Sequence, residues 1–164
     1  MPVYVTKRMK SWVEGLGCHL CVASPSGVPM VTVARYAKFV KDDTVAFALT
    51  QDEYSVIAED LESNSWVAFA VSHVGSIRAA YQFKGVASVE AWGPGRDSPM
   101  CDATEALGRK PAVVVTVELK EIYCTKPGHV AGQRLDVMAP DELCSLEREL
   151  QWKDMCPRAA QAAN

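Results

Sequence analysis

Alternation between bulky and small or polar side chains dominates the middle of the chain. From Pro29 to Val40, Val31, Val33, Ala37 and Phe39 fall on one side of an extended backbone. Thr32, Ala34, Tyr36 and Lys38 fall on the other. That period of two predicts one strand. Lys41-Asp42-Asp43 predicts a turn, after which Val45, Phe47 and Leu49 make a bulky face and Thr44, Ala46 and Ala48 a small one. Trp66 to Ser72 repeats the pattern, with Val67, Phe69 and Val71 set against Ala68 and Ala70. Between these two strands, Thr50-Gln51-Asp52-Glu53 has the T-x-x-E form of a capping box. It predicts a helix running to about Ser63, with Thr50 as its N-cap.

The flanking segments extend this picture. Met9, Trp12, Val13 and Leu16 recur at helical spacing from Lys7 to Leu16, and Gly15 and Gly17 end that helix. Cys18 to Ser24 predicts a first strand, and Pro25-Ser26-Gly27 a hairpin turn into the next. A turn is expected at His73-Val74-Gly75-Ser76, then a long strand over Ile77 to Ala91, with Arg78, Gln82 and Lys84 on one face. A surface loop over Gly93 to Pro99 leads into a short helix ending at Gly108. Pro111 to Ile122 holds the strongest strand run, Ala-Val-Val-Val-Thr-Val, whose apolar character on both faces suits a core or a subunit interface. A loop with two glycines spans 127–132, and a helix is expected over Asp141 to Met155, with Leu143, Leu146, Leu150 and Met155 inward and Pro140 at its start. Six strands joined mostly by short turns, with about four short helices, predict a mainly β (α+β) fold. The expected architecture is a six-stranded antiparallel barrel, closed or split, with short flanking helices.

Two features ask for a chemical explanation. Arg35 lies on the same predicted face as Val31, Val33, Ala37 and Phe39. A guanidinium among apolar neighbours needs an anion and several acceptors, from a ligand or from a carboxylate of the chain. The alanine-lined faces of two strands also leave shallow room, either for something flat or for a helix.

Composition narrows the classes. The 164 residues are 49% hydrophobic and 23% charged, with a formal net charge of −3, which fits one domain with a real core. A single domain is expected over residues 1–156, and the tail 157–164 is expected to fray. No basic balance points to nucleic acid, and no polybasic run to a membrane surface. No apolar stretch approaches the roughly 20 residues a spanning helix needs. Without an apolar leader at the N-terminus, a cytoplasmic location is the expectation. The six cysteines then read as thiols rather than a disulfide framework. Cys18-His19-Leu20-Cys21 is a C-x-x-C without a second pair, and in a strand its cysteines would point to opposite faces. No metal site is expected.

The chain carries no phosphate-loop, dinucleotide-fold, serine-hydrolase or zinc-protease motif. No catalytic set of side chains emerges, so chemistry at this chain would be carried by a bound cofactor.

The order of elements resembles a known family. Ala23-Ser-Pro-Ser-Gly-Val-Pro29 is similar to the opening hairpin of the pyridoxamine-5′-phosphate-oxidase-like, flavin-mononucleotide (FMN)-binding split barrels, a group that includes flavoredoxin-like members. Ser55 to Ala68 resembles their S-x-K-x-x-N-L-x-x-N-P-x-V-A stretch, Phe83 to Ala87 their x-x-G-x-A strand, and Ile122 to Gly128 an I-Y-x-x-x-P-G exit. The likeness covers roughly residues 16–135. It implies a homodimer with FMN in a groove between subunits, acting on a small-molecule substrate or redox partner. Carried over by position, Thr32, Val33, Ala34, Arg35 and Tyr36 would run along the flavin, with Arg35 and Lys38 toward its phosphate. Thr50, Gln51 and Ser55 would supply donors near the phosphate or ring. Val56 and Ile57 stand where the family carries Lys or Thr, and Asp52 and Glu53 add acids beside the phosphate position. The basic C-terminal segment of true pyridoxamine-phosphate oxidases is not recognisable, so that specific oxidase activity is not expected. The implied function is an FMN-dependent oxidoreductase. The alternatives are a flavin or haem carrier, with His19, His73 or His129 as axial ligand, and a cofactor-free dimeric scaffold.

Overall fold

The computed structural model describes residues 3–72, 80–126 and 128–155. The turn expected at 73–76, the first residues of the strand expected from Ile77 (Arg78 among them), Pro127, Cys156 and the tail lie outside them, as does the side chain of Met155.

Seven strands form one antiparallel sheet: β1 (Cys18–Ala23), β2 (Pro29–Ala34), β3 (Ala37–Lys41), β4 (Thr44–Leu49), β5 (Trp66–Ser72), β6 (Ala80–Ala91) and β7 (Val113–Cys124). They lie in the order β2-β1-β5-β6-β7-β4-β3. β2 and β3 are therefore opposite edges of the sheet, yet only Arg35 and Tyr36 separate them in the chain. The sheet must curl to bring its edges together there, which makes a half-barrel.

That geometry corrects the count of six strands. The single strand expected over Pro29–Val40 is two, because the chain leaves β1 and joins β4 at Arg35-Tyr36. The alternation resets at this point: Tyr36 and Ala37 are both buried. Arg35 thus keeps the company of Val31 and Val33, which are 51% and 46% exposed, but not of Ala37 and Phe39. Phe39 turns toward α1 (Lys7–Leu16), where its N–H donates to Glu14 at 2.8 Å and the Lys10 ammonium lies 5.4 Å from its ring.

Cross-strand register defines the inner face. Thr32, Leu20, Phe69, Phe83 and Ile122 form one inward row, and Met30, Val22, Val67, Gly85 and Leu119 another. Phe69 stacks on its partner Phe83 at 4.9 Å between centroids and meets Phe47 edge-on at 5.1 Å. Met9 and Val13 of α1, and Leu143 and Leu150 of α5 (Pro140–Met155), complete this core.

The helix expected from Thr50 to Ser63 is broken into α2 (Gln51–Ser55) and α3 (Ala58–Ser63). Consecutive β-branched residues, Val56 and Ile57, fill the break. Ile57 N–H donates to Tyr54 in a tightened turn at 3.0 Å, and the Ile57 side chain is buried. The valine-rich run in β7 is covered on both sides by this chain. Val115 and Val117 enter the core, while Val114 packs with Trp92 against Met100 and α4 (Ala103–Leu107).

Candidate functional site

The outer face of the sheet divides in two. Over β4, Ala46 and Ala48 are covered by Met100, Ala103 and Leu107, so a helix fills the first of the two alanine-lined faces. The other, on β5, has no cover among the described residues. Pairing sets two outward rows across it: Val31-Cys21-Ala68-Lys84-Glu121 and Val33-His19-Ala70-Gln82-Tyr123. None of these ten residues is fully buried, and Val33, His19 and Ala70 are exposed. Trp66, 48% exposed, stands on the same side of β5 as Ala68. From β2 to β5 the surface, about 10 Å across, is made of small and apolar side chains around the exposed His19. At β6 and β7 it becomes polar: Lys84 lies 3.6 Å from Glu121 and 4.6 Å from the Tyr123 ring.

Arg35 stands at the end of β2, beside this face, and its guanidinium has a partner within the chain. Arg35 Nε donates to Glu53 Oε1 at 2.6 Å. Glu53 Oε2 accepts from the Thr50 N–H at 2.8 Å and the Thr50 hydroxyl at 3.0 Å, and the Glu53 N–H closes the capping box on Thr50 Oγ1 at 3.5 Å. Thr32 Oγ1 donates to the Glu53 carbonyl at 2.7 Å, fastening β2 to α2. Burial works to raise the Glu53 carboxyl, but the hydrogen bonds from Arg35 and Thr50 outweigh it and hold it below the usual carboxylate range. Asp52, the other acid of α2, pairs with Arg109 at 3.2 Å.

The candidate residues separate by orientation. Val33 and Arg35 face outward beside the open surface, Gln51 and Ser55 are exposed on α2, and Lys38 is half-buried with its ammonium 6.0 Å from the Tyr36 ring. Thr32, Ala34, Tyr36 and Thr50 are buried, so only their backbone could meet a ligand on the outer face. The Ser55 hydroxyl donates to the Asp52 carbonyl at 3.0 Å. Tyr36 turns away beneath the α4 side, where its hydroxyl donates to Asp102 and, at 3.4 Å, to the Pro99 carbonyl. Burial first and then Asp102 push that phenol well above its ordinary range. Val56, at a position where the family carries Lys or Thr, is 43% exposed, whereas Ile57 is buried in the core.

The sequence shows Glu53 as a cap and a nearby acid but not as the partner of Arg35, and it does not show Asp102, Arg109 or the placement of His19 and Cys21 on the open face. Only the Thr50–Glu53 box was local enough to find; the other pairings join segments 18 to 66 residues apart. Cys18 and Cys21 do point to opposite sides of β1. Burial pushes the Cys18 thiol up to about 12, so that sulfur is not a reactive thiolate at neutral pH. Among the described residues no three His, Cys, Asp or Glu side chains gather as metal ligands. His129 lies 3.8 Å from Glu149, and His73 is outside the described residues. No described helix is long and apolar enough to cross a membrane.

No protein-family model and no curated protein sequence matches the chain. Solved structures do match it. HupZ of Group A Streptococcus superposes with a TM-score of 0.61 at 20% identity, over 78% of this chain and 99% of that one. An FMN-binding protein of Syntrophomonas wolfei gives 0.52 at 12% identity, over 73% and 85%. A Clostridium acetobutylicum protein related to general stress protein 26, of the pyridoxinephosphate oxidase family, gives 0.51 at 11% identity, over 77% and 87%. At these identities the likeness establishes a shared fold, that of the pyridoxamine-phosphate-oxidase-like split barrels.

Proposed function

We propose that this chain is an FMN-binding flavoprotein of the split-barrel type that exchanges hydride or electrons with a small substrate or redox partner and works as a homodimer. The observation that carries the reading is the open outer face over β2, β1 and β5. A half-barrel with one alanine-lined surface covered by its own helix, and a second without cover among the described residues, has room for a flat ring on the second. Val31, Val33, Cys21, Ala68 and Ala70 would line the ring, and Arg35 would take the phosphate. A second copy would cover the remaining apolar surface, since exposed Val31, Val33 and Trp66 together suit a partner better than water. The flavin, when bound, supplies the redox chemistry. This chain's residues position it and exclude water from one side. The S. wolfei structure, described as an FMN-binding protein, supports the choice of cofactor.

A second reading, a cofactor-free scaffold, is favoured by one observation: Arg35 already has Glu53. Fluorescence titration with FMN and with riboflavin, which lacks the phosphate, separates the two. Arg35→Ala should weaken FMN binding about tenfold or more, the worth of a charge-assisted hydrogen bond, and leave riboflavin unchanged. Equal affinity of wild type and variant for FMN contradicts the assignment of Arg35, and absence of binding to both ligands favours the scaffold.

A further inference from the structure

The Arg35–Glu53 pair has an asymmetry that bears on which anions this site accepts. Glu53 is the fixed member: its side chain is 12% exposed, and both the N–H and the hydroxyl of Thr50 hold its second oxygen. Arg35 is the exposed member, 49% accessible and held through Nε, with neither terminal nitrogen engaged among the described residues. A phosphate reaching Arg35 from the open side would meet a terminal edge of the guanidinium, with the Glu53 carboxylate just behind it. The guanidinium charge is then partly spent on Glu53, and a phosphate dianion also feels the repulsion of a carboxylate that is itself largely buried. The other acid of α2 differs: Asp52 and Arg109 are 85% and 59% exposed, so solvent screens that pair.

We infer that Glu53 is a specificity-determining residue that tunes Arg35 against doubly charged phosphate, keeping the affinity for a phosphomonoester-bearing ligand low. The inference rests on the reading of Arg35 as the phosphate cation. It assigns Glu53 a role separate from its part in capping α2, and those two parts can be separated. Glutamine at the third helical position preserves a capping box, because its carboxamide oxygen still accepts from the N-cap residue. Glu53→Gln therefore removes the charge and keeps the cap.

The experiment is a fluorescence titration of wild type, Glu53→Gln, Asp52→Asn and Arg35→Ala with FMN and riboflavin, with thermal melts to confirm that each variant folds. The expected result is FMN binding about tenfold tighter in Glu53→Gln, unchanged riboflavin binding, and a shift below about twofold in Asp52→Asn. If Arg35→Ala weakens FMN while Glu53→Gln leaves it unchanged or weakens it, Arg35 keeps its role and Glu53 is a positioning residue, which overturns the inference alone. If Arg35→Ala has no effect, or neither wild type nor Glu53→Gln binds FMN, the underlying reading fails with it.

Discussion

Asp136 shows how much a single buried carboxylate organises near the end of β7. It accepts from Arg134 Nη2 at 2.6 Å and Nε at 3.3 Å, and from the Ile122 N–H at 2.9 Å. Its side chain is 6% exposed. Burial tends to raise its carboxyl, yet the bonds from Arg134 and Ile122 hold it below the usual range. A carboxyl with a lowered folded-state pKa contributes stability that is fully present above its unfolded value, near 4. That contribution is lost as pH falls through the folded value. Glu53 acts in the same direction. Urea denaturation of Asp136→Asn should show a loss of about 1–3 kcal/mol near neutral pH and a flatter acid limb than wild type. An unchanged acid limb would remove Asp136 from the account. At this scale the sequence spoke only locally. The Thr50–Glu53 box was legible because its partners are three residues apart, and Arg35 was legible as a charge in need of an anion. That the anion is Glu53 depends on how β2 docks on α2, which no local pattern encodes.

Among the elements, β6 depends on one residue without a side chain. The register shifts between Lys84 and Gly85, and a Cβ on Gly85 would come within 2.3 Å of the Glu118 carbonyl oxygen and 2.8 Å of Val117 Cγ1. The close approach to β7 at this bulge therefore excludes every other residue. Gly85→Ala should lower stability by about 1–3 kcal/mol in denaturant titration, through overpacking against backbone that cannot yield. Wild-type stability would show that β7 relaxes there. Strands with clean alternation, β4 and β5, were readable to the residue, because bulky side chains enter the core and alanines take the opposite face with a period of two. The division of Pro29–Val40 was not, because the alternation of Val31, Val33 and Phe39 continues in register-blind form across a point where the chain changes neighbours. The break at Val56-Ile57 was likewise hidden inside a segment with good helical caps.

Among the described residues, a curled sheet packs its concave side with α1 and α5, has part of its convex side covered by α4, and has no cover on the rest. The sequence showed both alanine-lined faces; only the topology decides that α4 lies on β4 and not on β5. The bare face, with exposed Val31, Val33 and Trp66, underlies both the cofactor and the dimer in the proposed function. Sedimentation velocity of the protein mixed with FMN, followed in the flavin's visible absorbance, reads both at once. The account predicts a coloured boundary moving at twice the mass of the chain. Colour that stays with free flavin while the protein sediments alone would contradict it.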